Sequence, residues 1–320
     1  MTIALVHLIQ NITEAEKKRG GYPYSLYLKR KFHAPVRKIT VDAGFDCPNR
    51  DGRLSREGCF FCDNNAFSPA VKHRGMPVRE QVLQALEQFH GSPATRFIAY
   101  FQPYTNTYAA PERLRSLYRE ALCDARIVGL AVATRPDCVD ENVIEVFREL
   151  KKETDVSIEF GVQTANEMTL RRINRGHGFE VVPKAAALCR AADVEFGFHV
   201  ILGLPGEGRE DACRTAEVLQ GLGHSTVKIH HFHVCKGTRF EQEFRDGKIT
   251  VPEMEDHAAA VVDFLERTLP NVAVQRLMGD CPKAALVAPA WTLDRPALTR
   301  AVEAEFSKRG TAQGAKRRAG

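Results

Sequence analysis

The stretch CPNRDGRLSREGCFFC, residues 47–62, places three of the nine cysteines of this 320-residue chain close together. It follows the first predicted strand, and its glycine, asparagine and aspartate residues favour a bend. Such a loop can bring Cys47, Cys59 and Cys62 onto one face. Three thiolates without a nearby fourth cysteine suit a [4Fe–4S] cluster with one open iron, because a structural zinc site requires four protein ligands. Two alternatives stay open: a zinc knuckle that uses His73 as the fourth ligand, and thiols that bind no metal.

Apolar runs typical of strands alternate with amphipathic runs typical of helices through the middle of the chain. The predicted strands cover residues 36–41, 96–101, 127–133, 156–162, 195–202 and 226–232. The predicted helices cover residues 78–90, 111–124, 141–153, 180–192 and 210–222. This alternation predicts a parallel sheet with right-handed crossovers, either open and doubly wound or an incomplete barrel. Both folds put the functional site at the carboxyl ends of the strands, where the cysteine loop begins.

The composition is that of an ordinary globular protein, with 44% hydrophobic and 27% charged residues. It excludes disordered and collagen-like chains. No apolar run approaches the ~18 residues of a membrane span. The first residues lack the basic start and the cleavage site of a secretory signal. We therefore expect a cytoplasmic protein without membrane association, in which disulfides are not required.

Basic residues are concentrated towards both ends of the chain. Residues 17–38 contain eight basic residues, no acidic residue and several interleaved aromatic residues, and residues 308–320 contain five basic residues and no acidic one. This combination suits an RNA backbone with stackable bases, but a solvated surface and a disordered tail explain it as well. We divide the chain into a basic N-terminal segment (1–35), a core (36–235), a C-terminal extension (236–309) and a basic disordered tail (310–320).

Around the three cysteines the chain resembles the radical S-adenosylmethionine (SAM) superfamily, although eleven residues rather than three separate Cys47 from Cys59. The closer resemblance is to its YhcC-like family. That family is related to the branch of the Elongator catalytic subunit, where a long first gap is also found. The motifs that carry the resemblance are YLKRKF (27–32), DAGFDCPNRDG (42–52), YFQ (100–102), YTNTY (104–108), TRPD (134–137), LRRINRGH (170–177) and KGT (236–238).

The resemblance implies a fold, two cofactors and a type of reaction. The implied fold is a partial (β/α)6 TIM-type barrel of the radical SAM type with a small C-terminal extension. Cys47, Cys59 and Cys62 are implied to hold three irons of a [4Fe–4S] cluster, whose fourth iron binds S-adenosyl-L-methionine. A one-electron donor such as flavodoxin or ferredoxin is implied to reduce the cluster. SAM is then cleaved to methionine and a 5′-deoxyadenosyl radical, which removes hydrogen from an unactivated carbon.

Polar residues near the ends of the predicted strands are expected to contact SAM, each with a structural alternative. Arg135 can pair with the SAM carboxylate while Asp137 orients it, or the two can form a purely structural pair. Glu159 and Gln163 share one face of a strand, which suits either ribose contacts or an interior ion pair. The alternatives for the remaining candidates are a polar loop for Gln102, a hydrogen-bonded core position for His199 and a tight strand-to-helix turn for Leu204. The expected contacts are Gln102, Arg135, Asp137, Glu159, Gln163, His199 and Leu204.

The resemblance and the basic segments both favour transfer RNA as the substrate. The predicted reaction matures a wobble-uridine side chain, for instance from carboxymethylaminomethyl to aminomethyl. The predicted RNA contacts are Lys29, Arg30, Lys31, Arg172, Arg175 and His177. The alternatives are radical chemistry on a small metabolite or a protein side chain and, from another class, a zinc-dependent RNA-binding protein without catalysis.

A second metal site is not favoured by the sequence. His231 and His233 share one side of a predicted strand near Cys235, but a role in the core or in lining a cavity is the preferred interpretation. Cys138, Cys235 and Cys281 have no spacing typical of metal ligands.

Overall fold

A parallel seven-stranded sheet forms the centre of the fold in the computed structural model, which describes residues 21–63, 66, 68–89 and 96–317. Its strands are β1 (Val36–Val41), β2 (Arg96–Phe101), β3 (Ile127–Thr134), β4 (Asp155–Gln163), β5 (Glu195–Leu202), β6 (Thr226–His231) and β8 (Ala273–Arg276). They are hydrogen-bonded in the order β1-β2-β3-β4-β5-β6-β8. The predicted partial barrel is confirmed. Its seventh strand comes from the segment that the sequence assigned to the C-terminal extension.

Helices pack against the sheet. They are α1 (Tyr24–Phe32), α2 (Val78–Gln88), α3 (Pro111–Glu120), α4 (Glu141–Leu150), α5 (Glu167–Arg172), α6 (Val181–Ala191), α7 (Arg209–Gln220), α8 (Arg239–Arg245), α9 (Met254–Arg267) and α10 (Arg295–Arg309). A short antiparallel pair, β7 (Val234–Cys235) and β9 (Leu286–Ala288), follows β6. The sequence did not predict α1, α5, α8 or this pair. Within the described residues, none of the helices has the length and apolar character needed to cross a membrane.

The sequence of α4 shows how these helices form. The Asp140 side chain accepts a hydrogen bond from the Val143 N–H at 2.9 Å and so caps the first turn. Val143, Ile144 and Phe147 recur at helical spacing and are buried against the sheet. The main hydrophobic core therefore lies between the helices and the outer face of the sheet.

The inside of the barrel is polar. Glu159 of β4 is only 2% exposed, and its carboxylate contacts Lys38 of β1, His199 Nε2 at 2.6 Å and Lys228 Nζ at 3.1 Å. Burial alone would raise the pKa of Glu159, but the charges of Lys228 and Lys38 outweigh burial and hold this pKa well below its usual value. Burial lowers the pKa of Lys228 to about 7, against the opposing charge of Glu159. The interior ion pair, one of the two interpretations of Glu159, is therefore present.

Side chains bridge the gap between the two edge strands of the barrel. Lys38 Nζ of β1 donates a hydrogen bond to Gln275 Oε1 of β8 at 2.9 Å. Helix α1 packs beside this gap, with Leu28 buried against Ile98 and Tyr100 of β2. The barrel is thus closed by side chains and a helix at this point.

Helix α1 lies at the end of the barrel where the strands begin. Lys31 Nζ lies 2.7 Å from Asp155 Oδ1 and 2.5 Å from Glu195 Oε2, the first residues of β4 and β5. The cysteine loop is at the other end, about 25 Å away along a strand of this length. The structure therefore corrects the predicted role of Lys31, which is an ion-pair residue far from the cysteines. Of the neighbouring candidates, Lys29 is exposed and Arg30 lies over the Tyr22 ring.

The described end of the chain is folded, although the sequence predicts a disordered tail. Lys316 Nζ lies 2.7 Å from the buried Glu266 Oε2, and the Gln313 side chain donates to the Leu269 carbonyl at 2.7 Å. These contacts fasten the tail to α9, and composition alone does not reveal them. Other basic residues of the two predicted segments lie outside the described residues: Lys17, Lys18, Arg19 and Arg318.

We expect Glu159→Gln to lower the free energy of unfolding by about 3–5 kcal/mol, because it leaves two buried lysines without their carboxylate partner. Urea unfolding followed by circular dichroism at neutral pH measures this change. The matched control is Glu153→Gln, which removes a surface pair with Arg119 and should cost less than about 1 kcal/mol. Equal losses in the two variants would contradict the structural importance of the interior network.

Candidate functional site

The three clustered cysteines meet at the carboxyl ends of the strands. Cys47, Cys59 and Cys62 line one cavity at the open end of the barrel, and no other cysteine of the described residues lines it. Five of the seven residues predicted to contact SAM line the same cavity: Gln102, Arg135, Glu159, Gln163 and His199. The three cysteines and five of the predicted contacts thus line one cavity, while their roles as cluster ligands and SAM contacts stay predictions.

Backbone hydrogen bonds explain how the cysteine loop accommodates its long first gap. The Gly58 N–H donates to the Asn49 carbonyl oxygen at 2.8 Å, so residues 50–57 form an excursion whose two ends meet. Cys47 and Cys59 flank these two ends. The excursion therefore lengthens the loop without moving the second cysteine away from the first.

Residues 173–176, which we call the clamp segment, hold this loop in place. Asn174 Nδ2 donates to the Gly58 carbonyl oxygen at 2.8 Å, and Asn49 Nδ2 donates to the Asn174 carbonyl oxygen at 2.6 Å. The Phe60 N–H adds a backbone hydrogen bond to the Ile173 carbonyl oxygen. The loop and the clamp segment are therefore joined on both sides of the excursion.

Two donors approach the sulfur of Cys59. Asn49 Nδ2 lies 3.5 Å and Arg175 Nη1 lies 3.6 Å from Cys59 Sγ. Donors of this kind stabilise negative charge on a thiolate and orient a metal-bound sulfur. The sequence reasoning missed Asn49 and Asn174 as functional residues. The available signal was their position inside the two motifs that carry the family resemblance.

The structure corrects the predicted RNA-binding role of Arg175. Its guanidinium is buried, and Nη2 donates to the Gly161 carbonyl oxygen at 2.5 Å while Nη1 reaches Cys59. Arg175 therefore connects β4 to the cysteine loop. A charged residue followed by glycine gives no sequence signal that distinguishes this buried role from a solvent-facing one.

His177 and Arg172 also have partners within the protein. The His177 side chain is buried, and burial together with the charge of Arg175 lowers its pKa to about 3, so the ring is neutral near pH 7. Arg172 forms an ion pair with Glu243 and lies over the Phe240 ring. The prediction that these two side chains face RNA is therefore not supported by their surroundings.

Arg135 and Asp137 form a bidentate pair behind the cavity. Arg135 Nε and Nη2 donate to the two carboxylate oxygens of Asp137, both at 2.9 Å. Burial favours a higher pKa for Asp137, but the hydrogen bonds and charge of Arg135 outweigh burial and lower it. Asp137 therefore stays ionised and fixes the guanidinium at the cavity wall; both interpretations of these residues include this pair, and the contact with the SAM carboxylate stays a prediction.

Leu204 does not line the cavity. Its side chain is buried in a separate hydrophobic cluster with Leu170, Ile173 and Phe232. The turn that carries it lines another groove, together with Gly203. The side chain of Leu204 thus points into the core, and a contact of this turn with SAM through its backbone stays a prediction.

The surroundings of Cys62 keep its thiol protonated when no metal is bound. Burial, reinforced by the charge of Cys59, raises the pKa of Cys62 to about 12. Neighbouring thiolates repel one another unless a metal centre neutralises them. The donor set fits an iron–sulfur cluster, since three cysteines face a cavity with room for an external ligand. His73 does not line this cavity, so the structure gives no support to the zinc knuckle.

The fold also brings together a second group of possible metal ligands, whose members are far apart in the sequence. His233, Cys235 and Cys281 form a buried group, whereas Cys138 lies beside Asp137 and is not part of it. Sequence spacing could not reveal this group because Cys281 follows Cys235 only after a long segment.

The sequence and the fold of this chain are similar to those of known proteins. The profile of the Radical SAM superfamily matches residues 51–219, and that of the Radical_SAM C-terminal domain matches residues 224–308. Protein YhcC of Escherichia coli (strain K12) is 37% identical over 270 residues, which are 84% of this chain and 86% of that protein. The tRNA uridine(34) acetyltransferase of Methanocaldococcus jannaschii is 28% identical over 166 residues, which are 51% of this chain and 30% of that protein. The solved structure of Methanocaldococcus infernus Elp3 with an N-terminal deletion shares the fold, with a TM-score of 0.67 and 18% identity over 88% of this chain and 64% of that chain.

We expect Gly176→Ala to reduce the iron content of the reconstituted protein to less than about half of the roughly four irons expected. Gly176 has a φ of +77°, and a Cβ there would lie 2.8 Å from Asn49 Oδ1. The change therefore displaces the asparagine that joins the loop to the clamp segment. Iron and sulfide analysis after anaerobic reconstitution measures the effect.

The matched control is Gly247→Ala. Gly247 has a similar φ of +68°, but a Cβ there would meet no atom within 4 Å. Both variants carry the same backbone penalty of about 1–2 kcal/mol, so only the contact with Asn49 differs. Similar iron contents in the two variants would show that this contact does not support the cluster.

Proposed function

The chain belongs to the radical SAM superfamily, and we propose that it modifies the side chain of a wobble uridine in transfer RNA. The proposed conversion takes a carboxymethylaminomethyl substituent to the aminomethyl form: hydrogen is removed from the carbon between the nitrogen and the carboxylate, loss of one further electron, which would return to the bound cluster, gives an imine, and water hydrolyses this imine to the amine and glyoxylate. When bound, the [4Fe–4S] cluster and SAM supply a 5′-deoxyadenosyl radical, which removes hydrogen from a carbon of the substrate. The proposed reductant is a one-electron donor such as flavodoxin or ferredoxin.

The observation that carries the enzymatic part is the cavity with three cysteines at its mouth. The clamp segment fixes the cysteine loop, and Asn49 and Arg175 donate towards Cys59. Arg135, held by Asp137, presents a guanidinium at the cavity wall, where it can pair with the carboxylate of SAM. In the proposed site these residues bind and orient the cluster, SAM and the substrate.

The floor of the cavity suits a substrate that carries a carboxylate. Lys228 and Arg276 line it together with two carboxylates, those of Glu159 and Asp280, and Asp280 pairs with Arg276. A second lysine, Lys38, contacts the same carboxylate from β1. Three basic side chains thus face two carboxylates, and we propose that a carboxymethyl group entering the cavity is bound through Lys228, whose pKa of about 7 a further carboxylate would raise.

Guanidinium–ring pairs at the mouth support the RNA part of the proposal. Arg74 Cζ lies 4.5 Å from the centre of the Tyr104 ring, and Tyr104 lines the cavity. Arg53 Cζ lies 5.6 Å from the Tyr108 ring on the excursion side of the cysteine loop. Flat aromatic and guanidinium groups stack on unpaired bases, and the charge attracts phosphates.

The relatives add a second, independent support. The match with the tRNA uridine(34) acetyltransferase covers about half of this chain. We propose that this chain and the acetyltransferase bind tRNA through the part of the fold that they share, because the proposed substrate is the same nucleoside. The proposed RNA surface is therefore the mouth of the cavity. It is not helix α1, because Lys31 of that helix pairs with carboxylates of the protein.

We expect Cys59→Ser to lower 5′-deoxyadenosine formation by about 100-fold or more, because it removes a cluster ligand.

Nucleoside mass spectrometry of tRNA tests the substrate. Cells without the gene should accumulate carboxymethylaminomethyluridine, the intact gene should remove it, and Cys59→Ser should not. Cys213→Ser on α7 is the matched control and should behave as the intact protein does. An unchanged nucleoside profile would overturn the tRNA proposal in favour of a metabolite or protein substrate.

We expect the double change Arg53→Ala with Arg56→Ala to weaken tRNA binding and to reduce the slope of log K against log salt by about two. Both side chains are exposed on the excursion. The matched control removes two exposed charges from the outer surface at α4, by Arg148→Ala with Lys152→Ala. Binding by electrophoretic mobility shift at several salt concentrations distinguishes the two. Equal slopes would place the RNA elsewhere.

A further inference from the structure

His233, Cys235 and Cys281 offer a metal site made of residues other than the three cysteines of the loop, beside the cavity that these cysteines and His233 line. One ring nitrogen and two sulfurs, one from each residue, lie within 4.8 Å of one another, and all three residues are buried. We propose that these residues bind one zinc ion that joins the C-terminal part of the chain to the cysteine loop. This proposal does not depend on the proposed function.

The spacing of the sulfurs suits a single tetrahedral ion. Cys235 Sγ and Cys281 Sγ are 3.4 Å apart. Zinc–sulfur bonds of about 2.3 Å in a tetrahedron put two sulfurs about 3.8 Å apart, so a shift of a few tenths of an ångström is sufficient. A disulfide requires about 2.05 Å and a much larger movement. Thiolate sulfur with imidazole nitrogen is the ligand combination that zinc prefers.

The backbone fixes where the ligands stand. His233 and Cys235 are two residues apart at β7, and the Lys236 N–H that follows donates to the Ala285 carbonyl oxygen at 2.8 Å. Pairing of β7 with β9 brings the preceding loop, which contains Cys281, against them. Three ligands from two segments therefore converge without rearrangement of the sheet.

Gly279 allows this loop to approach the histidine. A Cβ at position 279 would lie 3.0 Å from His233 Cε1, so any larger residue would press on the ring. The Asp280 carboxylate that follows pairs with Arg276 at 3.0 Å, and Arg295 contacts it as well. The loop is thus held close to His233 on one side and tied to β8 and α10 on the other.

The His233 ring also has the hydrogen bond that is usual for a histidine ligand. Nδ1 lies 3.2 Å from the His231 carbonyl oxygen, to which an Nδ1–H donates. The proton then stays on Nδ1, and Nε2 carries the lone pair that a metal requires. Such a hydrogen bond from the other ring nitrogen to a carbonyl is typical of zinc-binding histidines.

The position of the group connects it to the cysteine loop. Ala66, shortly after Cys62, packs against Cys235 and Cys281 in one small cluster. Three protein ligands leave the fourth position of a tetrahedral zinc ion to a water molecule. An ion here would stabilise the segment directly after the last cysteine of the loop.

The test measures zinc and iron in anaerobically purified full-length protein by inductively coupled plasma mass spectrometry. The intact protein should hold about one zinc per chain besides its iron. Cys235→Ser with Cys281→Ser should lose at least four fifths of the zinc and retain most of the iron. Cys123→Ser with Cys213→Ser is the matched control and should keep both metals. Absence of zinc from the intact protein, or equal zinc in the two double variants, would overturn the proposal.

A second measurement covers the case in which the double variant folds poorly. Full-length protein with Cys47, Cys59 and Cys62 all changed to Ala cannot hold the cluster, and Co²⁺ is titrated into it. Thiolate-to-cobalt absorption should saturate at about one equivalent and should vanish when Cys281→Ser is added. No such absorption, or a Cys235–Cys281 disulfide found by non-reducing mass spectrometry of zinc-free protein, would overturn the proposal. None of these readouts involves tRNA, so failure here is distinct from failure of the proposed function.

Discussion

The hydrogen bonds between the cysteine loop and the clamp segment hold the candidate site in place. Parallel strands end at one edge of the sheet, so the loop after β1 and the segment after β4 meet there. Asn49 and Asn174 exchange hydrogen bonds with the backbone of the opposite segment. Because both side chains bond to backbone groups, the position of the sulfurs is set by the fold and tolerates the long excursion between the first two cysteines.

The inside of the barrel follows a different principle from its outside. The outer face of the sheet is covered by apolar helix stripes, whereas Glu159, Lys38 and Lys228 occupy the interior. Buried charges are stable only when they are paired and hydrogen-bonded. Each interior charge therefore fixes the strand that carries it, and the same groups give the cavity its polar floor.

The sequence predicted the sheet well because each strand and helix has its own period of apolar residues. It predicted that the three cysteines come together at the carboxyl ends of the strands because the loop follows β1 directly, and the three cysteines line one cavity there. It failed where the answer depends on distant partners. Lys31 and Arg175 have the sequence appearance of RNA-binding residues, but their carboxylate and sulfur partners lie more than a hundred residues away. Helix α1 was missed for a similar reason, since its buried face is mostly tyrosine and leucine within a basic segment.

The arrangement at the gap of the barrel has a further consequence. Strands β1 and β8 are the outermost strands of the sheet. An uncovered outer strand is a template on which a second copy of a chain can add its own strand and start to aggregate. Here α1 packs against both strands, and the charged Lys38 points inwards between them. The N-terminal helix therefore also protects the protein against self-association through its sheet.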